Sequence, residues 1–315
     1  MDFPAVAPPS LHSPTAILAL RRLLARAPET AIFVANSPRA QAYAAAVQLL
    51  LHDMSPIVNV AHEQDTAGRL SARATLRHSG RVVAIGANSA CLYQRALPGV
   101  AVRRINNVLD DSELDSARRA RARAVRLAVL ARMIPEKGIL EMLDEAATST
   151  ELWSTLAIGA PRQDQAYEAR VRDRIDELGL AGRARLCGAI SDVAGFIDAA
   201  DVLVVPSTGC EGQPTTIIEA LARGVPVLAR EPILSEDFGG LPVHGYHDAS
   251  DFGAALLKLR PYVASVDDMR RRFGPDQAID GLLAAAGRGR DARAGIPHSQ
   301  PDAIGLGDEI RGVQI

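Results

Sequence analysis

Short apolar runs and longer amphipathic stretches alternate along most of this chain. In the first hundred residues, Ala31 to Ala35, Ile57 to Ala61 and Val82 to Gly86 predict buried strands, and Val100 to Ile105 adds an edge strand. Helical periodicity covers Pro14 to Arg26, Ser37 to His52 and Asn88 to Ala96, with a further helix over Ala67 to Arg77. The pattern resumes after a polar bridge. Strands are expected at Arg126 to Ala131, Leu156 to Gly159, Ala184 to Cys187, Val202 to Val205, Val225 to Ala229 and Pro242 to His244, and the clearest helix runs from Gln165 to Leu178. Strands alternating with helices imply parallel βαβ units, so the fold class is α/β.

The bridge sets the domain organisation. Residues 111–124 hold Asp111, Asp115 and the arginine run Arg118, Arg119, Arg121 and Arg123, read as a solvated linker face and not as a nucleic-acid patch. Domains of residues 1–110 and 125–287 flank it. Beyond Gly287 the composition turns to Gly, Arg, Asp, Pro and Ser without periodicity, and 288–315 is expected to be a disordered tail. A length of 315 residues suits two cores, and 48% apolar with 23% charged residues is ordinary for a globular protein. A net charge of -2 argues against wholesale nucleic-acid binding. Three scattered cysteines and seven scattered histidines suggest neither a disulfide framework nor a metal site. No run reaches the ~20 apolar residues of a membrane span, and Met1 to Pro14 lacks a signal-peptide pattern. A cytoplasmic protein is expected, with peripheral attachment at the inner membrane face left open.

The densest chemistry lies in Val205 to Gly224, Val-Pro-Ser-Thr-Gly-Cys-Glu-Gly-Gln-Pro-Thr-Thr-Ile-Ile-Glu-Ala-Leu-Ala-Arg-Gly. A loop follows the strand Val202 to Val205, and a helix then starts near Pro214 and stops before Gly224. Glu211 sits in the loop, and Glu219 projects from the helix on the side of Thr215. Anions bind at such strand ends, where free N–H groups meet the helix dipole. Two flanking carboxylates could hold hydroxyls on either side of a bound phosphate. A glutamate-rich helix start is also ordinary by itself.

This segment resembles the C-terminal nucleotide-binding signature of family 4 glycosyltransferases, retaining enzymes of the GT-B fold. Other blocks follow in order. Val125 to Gly138 is similar to the first C-terminal strand and its basic turn, and Ala184 to Ser207, with Cys187-Gly188 and Ala200-Asp201, to the strand–helix–strand before the glutamates. Ile105 to Asp110 is similar to the interdomain Ile-Pro-Asn-Gly-Val-Asp, with Asn106 in place of proline. The resemblance spans roughly residues 57–287 and implies two Rossmann-like parallel-sheet domains. The N-terminal one is expected to be incomplete, because Met1 to Pro14 offers no glycine for the family's opening loop.

The resemblance also implies roles. Arg132 and Lys137 would meet the donor diphosphate. The N–H groups of Gly212, Gln213 and Thr215 would cap the phosphate, and Pro214 would fix the turn. Glu211 would hold donor-sugar hydroxyls and Glu219 the ribose hydroxyls. His62 falls where the family often carries a histidine facing the donor sugar, although a lone histidine after a strand is more often structural. Asn88 and Ser89 read as a helix cap. No metal or other cofactor is implied, and the donor is a UDP- or GDP-sugar. The acceptor is a polysaccharide, a lipid-linked sugar or a small metabolite. A second reading is a non-catalytic nucleotide-sugar-binding protein, or a subunit whose N-terminal domain a partner protein completes.

Overall fold

The computed structural model describes residues 33–35, 40–42, 44–45, 57–61, 73, 76–77, 80–109, 125–209, 211–261 and 263–287. The chain divides into two compact units, residues 1–108 with 276–315, and residues 109–275. The expected helix over Pro14 to Arg26, the arginine run and the tail 288–315 lie outside the described residues.

In the first unit, β1 (Phe33–Ala35), β2 (Ile57–Ala61), β3 (Arg81–Ile85) and β4 (Ala101–Ile105) form a parallel sheet in sequential order. Residues 40–42 and 44–45 are helical, as the periodicity of Ser37 to His52 predicts. Side chains alternate across the sheet. Val82 and Ala84 join Ala90, Tyr93 and Ala96 of helix α1 (Gly86–Ala96), while Val83 and Ile85 face the opposite way with Val58, Val60 and Ile105. The expected cap at Asn88 and Ser89 is corrected. Gly86, with φ of 76°, turns the chain straight from β3 into α1, so both residues lie inside the helix and Ser89 is fully buried.

The second unit holds a six-stranded parallel sheet in the order β10-β9-β8-β5-β6-β7. Its strands are β5 (Val125–Leu130), β6 (Trp153–Gly159), β7 (Ala184–Gly188), β8 (Val202–Val205), β9 (Val227–Arg230) and β10 (Val243–Tyr246). The expected strands are all present, with β6 starting earlier and β9 later than the apolar runs indicated. Helices α2 (Ile139–Ala147), α3 (Gln165–Glu177), α4 (Val193–Asp198), α5 (Thr215–Ala222), α6 (Phe252–Lys258) and α7 (Val266–Phe273) follow in chain order. Leu127, Val129, Val202, Val204 and Leu228 point to the layer of α2, α3 and α6; Ala128, Leu203, Val205, Val227 and Ala229 point to the layer of α4, α5 and α7. Burial on both faces explains why these strands read as continuous apolar runs.

An ion pair pins the entry of the two central strands. Asp201 accepts from Arg126 N at 2.8 Å, Nε at 3.1 Å and Nη2 at 3.2 Å, and Asp201 N donates back to Arg126 O at 2.8 Å.

Helix α8 (Pro275–Ala285) departs from the expected domain span of 125–287, since residues from Asp276 onward group with the first unit. Ala278 and Ala286 join the Val58–Val83–Ile105 cluster, and a Cβ on Gly281 would lie 2.2 Å from Ile105 Cγ2. Gln277 secures the approach, its amide donating to Asn106 O and accepting from Asn106 N, both at 3.0 Å.

Candidate functional site

Strand order locates a crevice. From β5 the chain moves outward through β6 and β7, then returns to the other side of β5 as β8. The loops leaving the carboxyl ends of β5 and β8 therefore diverge, and this switch point is where open α/β sheets bind ligands. Arg132 and Lys137 stand on the first loop, Glu211 on the second.

The β5 loop closes with a short 3₁₀ turn, Pro135–Lys137, and Gly138 then caps α2 in the left-handed region at φ 63°. A Cβ at Gly138 would sit 2.1 Å from Pro206 O and 3.0 Å from Thr208 Cγ2, so only glycine permits this approach to the β8 loop. Glu136 O accepts from Thr208 N at 3.0 Å and Gly209 N at 3.1 Å, which fastens the two loops by main chain. The side chains meet next to that seam. Lys137 Nζ donates to Glu211 Oε1, with side-chain exposures of 18% and 20%. Burial to this degree strengthens a charge-assisted bond relative to water.

The donor-binding candidates continue in order along the β8 loop into α5. Gln213 is buried; Gly212, Pro214, Thr215 and Glu219 are half-buried. Pro214 is the N-cap residue at φ -62°, and Ile217, Ile218 and Leu221 anchor the helix. Thr215 and Glu219, four apart, share one helix face. Arg132 is exposed on the β5 loop, and among the described residues no ion pair engages its guanidinium. Its neighbour Met133 pairs with Arg162 of the loop after β6. His62 and Cys210 lie outside the described residues. Among the described residues no group of His, Cys, Asp and Glu is disposed to hold a metal ion, and no helix is long and apolar enough to cross a membrane.

Residues 124–260 match the family model described as Glycosyl transferases group 1. The match covers the second unit's sheet and most of its helices. A search of curated proteins returns no match. HepE from Anabaena in complex with UDP is structurally similar, with a TM-score of 0.66 at 16% identity over 87% of this chain and 80% of that chain. HepE in complex with UDP-glucose gives 0.63 at 17%, over 81% and 76%. A sucrose-phosphate synthase from Thermosynechococcus elongatus gives 0.63 at 19%, over 87% and 75%. What these proteins share with the chain is the fold, two parallel-sheet α/β domains of the GT-B type.

Sequence reasoning missed a second charged group beside the crevice of the second unit. Arg230, at the end of β9, donates from Nε to Pro206 O at 3.3 Å, from Nη1 to His247 O at 3.0 Å and from Nη2 to Glu145 Oε1. Its guanidinium lies 5.3 Å from the centre of the Tyr246 ring. Burial raises the Glu145 carboxyl above its ordinary range, and the Arg230 charge opposes that rise. Burial likewise pushes the Tyr246 hydroxyl up. Glu145 Oε2 and the Tyr246 hydroxyl influence each other's ionisation, yet neither has a well-formed hydrogen bond. One signal was present: Glu145 falls among Met142, Leu143 and Ala146, on the apolar stripe of α2.

Two further clusters flank this end of the sheet. Glu168 accepts from Arg162 Nε at 2.7 Å and Arg172 Nη2 at 2.7 Å, and these bonds lower its carboxyl to about 2. After β10, the exposed His247 ring lies 3.1 Å from Asp251 and 3.5 Å from Glu231; the Asp251 bond raises its basicity first and the Glu231 charge second.

Proposed function

We propose that the chain is a retaining glycosyltransferase of family 4 that transfers a sugar from a UDP- or GDP-sugar to a carbohydrate, lipid-linked or small-molecule acceptor. One observation carries this reading: Lys137 and Glu211 meet at the switch point of a domain that matches group 1 glycosyltransferases. HepE, of the same fold, has been solved with UDP and with UDP-glucose, which favours a uridine donor.

Breaking the bond between the anomeric carbon and the diphosphate puts negative charge on the leaving phosphate and positive charge on the sugar. Pre-placed cations and N–H donors at the diphosphate lower that barrier. Lys137 supplies one cation and the exposed Arg132 fork can swing in as a second. The N–H groups of Gly212, Gln213 and Thr215 cap the phosphate, while Glu219, on the first turns of α5, accepts from the ribose hydroxyls. Glu211 holds the donor-sugar hydroxyls and keeps Lys137 desolvated and aimed. It is not assigned as a nucleophile; front-face attack lets the leaving phosphate take the acceptor's proton. His62 is carried as a further candidate for the donor sugar. Basic side chains do the work of a cation in this reading, which calls for no metal cofactor.

The test is a thermal-shift series with UDP, GDP, ADP and their sugars. A ligand at a hundred times its Kd adds about 2.7 kcal/mol of stability, which raises Tm by several degrees. Wild type is expected to respond to the UDP or GDP set, and Glu219→Ala and Lys137→Ala to lose most of the response. Flat curves for wild type with every nucleotide would refute the proposal.

A further inference from the structure

The geometry points to Arg230 as a positioning residue for the donor site, acting on Lys137 and Glu211 through the carbonyl of Pro206. It rests on the donor-site reading above and adds a residue that no motif in that reading includes.

Each nitrogen of the guanidinium serves a different element. Nε takes Pro206 O at the exit of β8, Nη1 takes His247 O just beyond β10, and Nη2 takes Glu145 on α2. The group is nearly enclosed, with side-chain exposures of 12% for Arg230 and 6% for Glu145. Burying such a pair gives little net stability, because both charges lose their hydration and apolar residues of like volume would serve as well. A planar fork with fixed donor directions specifies geometry instead.

The geometry it specifies is that of the crevice. Pro206 O is the same atom that would meet a Cβ on Gly138 at 2.1 Å. Arg230 therefore holds from one side the carbonyl against which the Lys137 turn closes from the other. Glu211 lies five residues beyond Pro206 on that loop, and Gly138 follows Lys137 directly. The second tether has the same destination, since Glu145 belongs to the helix that Gly138 caps. A shift at Arg230 thus reaches both partners of the lysine–glutamate pair, one through the β8 loop and one through α2. Lysine in its place offers a point charge and cannot span three acceptors in one plane.

The experiment uses the full chain as Arg230→Lys and Glu145→Gln, with two readouts. Hydrogen exchange at the Thr208 and Gly209 amides, both bonded to Glu136 O, reports the loop seam without any ligand. Calorimetric titration with UDP and GDP, well below the melting temperature, reports the donor site. The expected result for Arg230→Lys is at least tenfold faster exchange at those two amides, unchanged exchange at Leu127 to Val129 in β5, and about tenfold weaker binding of whichever nucleotide the wild type takes. Glu145→Gln, which leaves the arginine in place, is expected to change both readouts in the same direction but less. It also decides the matter if Arg230→Lys does not fold.

A purely structural role would raise exchange evenly across the unit and leave the folded protein's affinity unchanged, and that outcome overturns the proposal. Wild-type exchange at Thr208 and Gly209 in both variants overturns it too. If wild type binds neither nucleotide, the donor-site reading fails while the amides still decide whether Arg230 holds the seam.

Discussion

Replacing Gly138 with alanine tests the closure of the two loops most directly. The residue sits at φ 63°, where a Cβ costs an L-residue about 1–2 kcal/mol. The new Cβ would also lie 2.1 Å from Pro206 O, whereas carbon–oxygen contacts settle at about 3.3 Å or more. Roughly 1 Å of separation must come from backbone movement, and forcing an extra methyl into a packed site costs about 1–3 kcal/mol. Gly179 provides the control, with φ of 67° and nothing within 4 Å of its Cβ position. Gly179→Ala carries the conformational cost alone, and the gain from a stiffer unfolded chain is common to both variants. The difference between the two, about 1–3 kcal/mol in urea unfolding, isolates the clash. Moving the turn by that distance also pulls Lys137 from Glu211, and a misplacement of about 1 Å can reduce catalysis roughly a hundredfold. Gly138→Ala should therefore lose donor affinity at least tenfold while Gly179→Ala keeps it. Equal stability of the two variants, together with wild-type donor binding in Gly138→Ala, would refute the claim that the loops close on each other here.

Two predictions concern stability alone. Asp201→Ala removes the acceptor of three bonds from Arg126 and should cost about 2–3 kcal/mol in urea unfolding, short of the full buried-pair penalty because Arg126 is 41% exposed and rehydrates; no loss would mean the pair does not pin the entry of β5 and β8. Glu168, held at about 2 against roughly 4.3 in the unfolded chain, contributes stability that is complete above the unfolded value and lost as pH falls toward 2. The shift corresponds to ~3 kcal/mol at most, but Arg162 and Arg172 are 60% and 58% exposed, so screening leaves about 1 kcal/mol. Acid titrations of wild type and Glu168→Gln should converge between pH 4 and 2, and 1 M salt should shrink the gap at neutral pH.

What the sequence revealed follows from which signals are local. The strand Val202–Val205 was legible to the residue, because an apolar β-branched run ends abruptly at Asp201 and Pro206. The helix Thr215–Ala222 was legible from Pro214 and Gly224, which mark its ends by backbone geometry. Strand β6 was read three residues short, since Trp153-Ser154-Thr155 breaks the apolar run that the rest of the strand continues. The affiliation of α8 was not legible at all. Its apolar stripe would suit either sheet, and only Gly281 against Ile105 and Gln277 against Asn106 tie it to the first one.

The candidate site divides along the same line. Lys137 and Glu211 stand on the loops leaving β5 and β8, where a charged residue draws notice beside an apolar strand, and Glu219 follows in the helix whose start Pro214 marks. Arg230 gave no signal, and Glu145 gave only its place on the apolar stripe of α2. A glutamate within an amphipathic helix is assigned to solvent by default, and an arginine closing a strand reads as its polar boundary. Only the strand order brings them together, by setting β8 and β9 side by side with α2 packed across them. That order also explains why the motif residues converge. β8 pairs with β5 instead of β7, so the loop bearing Glu211 opens beside the loop bearing Lys137, although 74 residues separate the two in sequence. Had β8 continued outward beyond β7, the same motifs would sit three strands apart, and no charge pair could form between them.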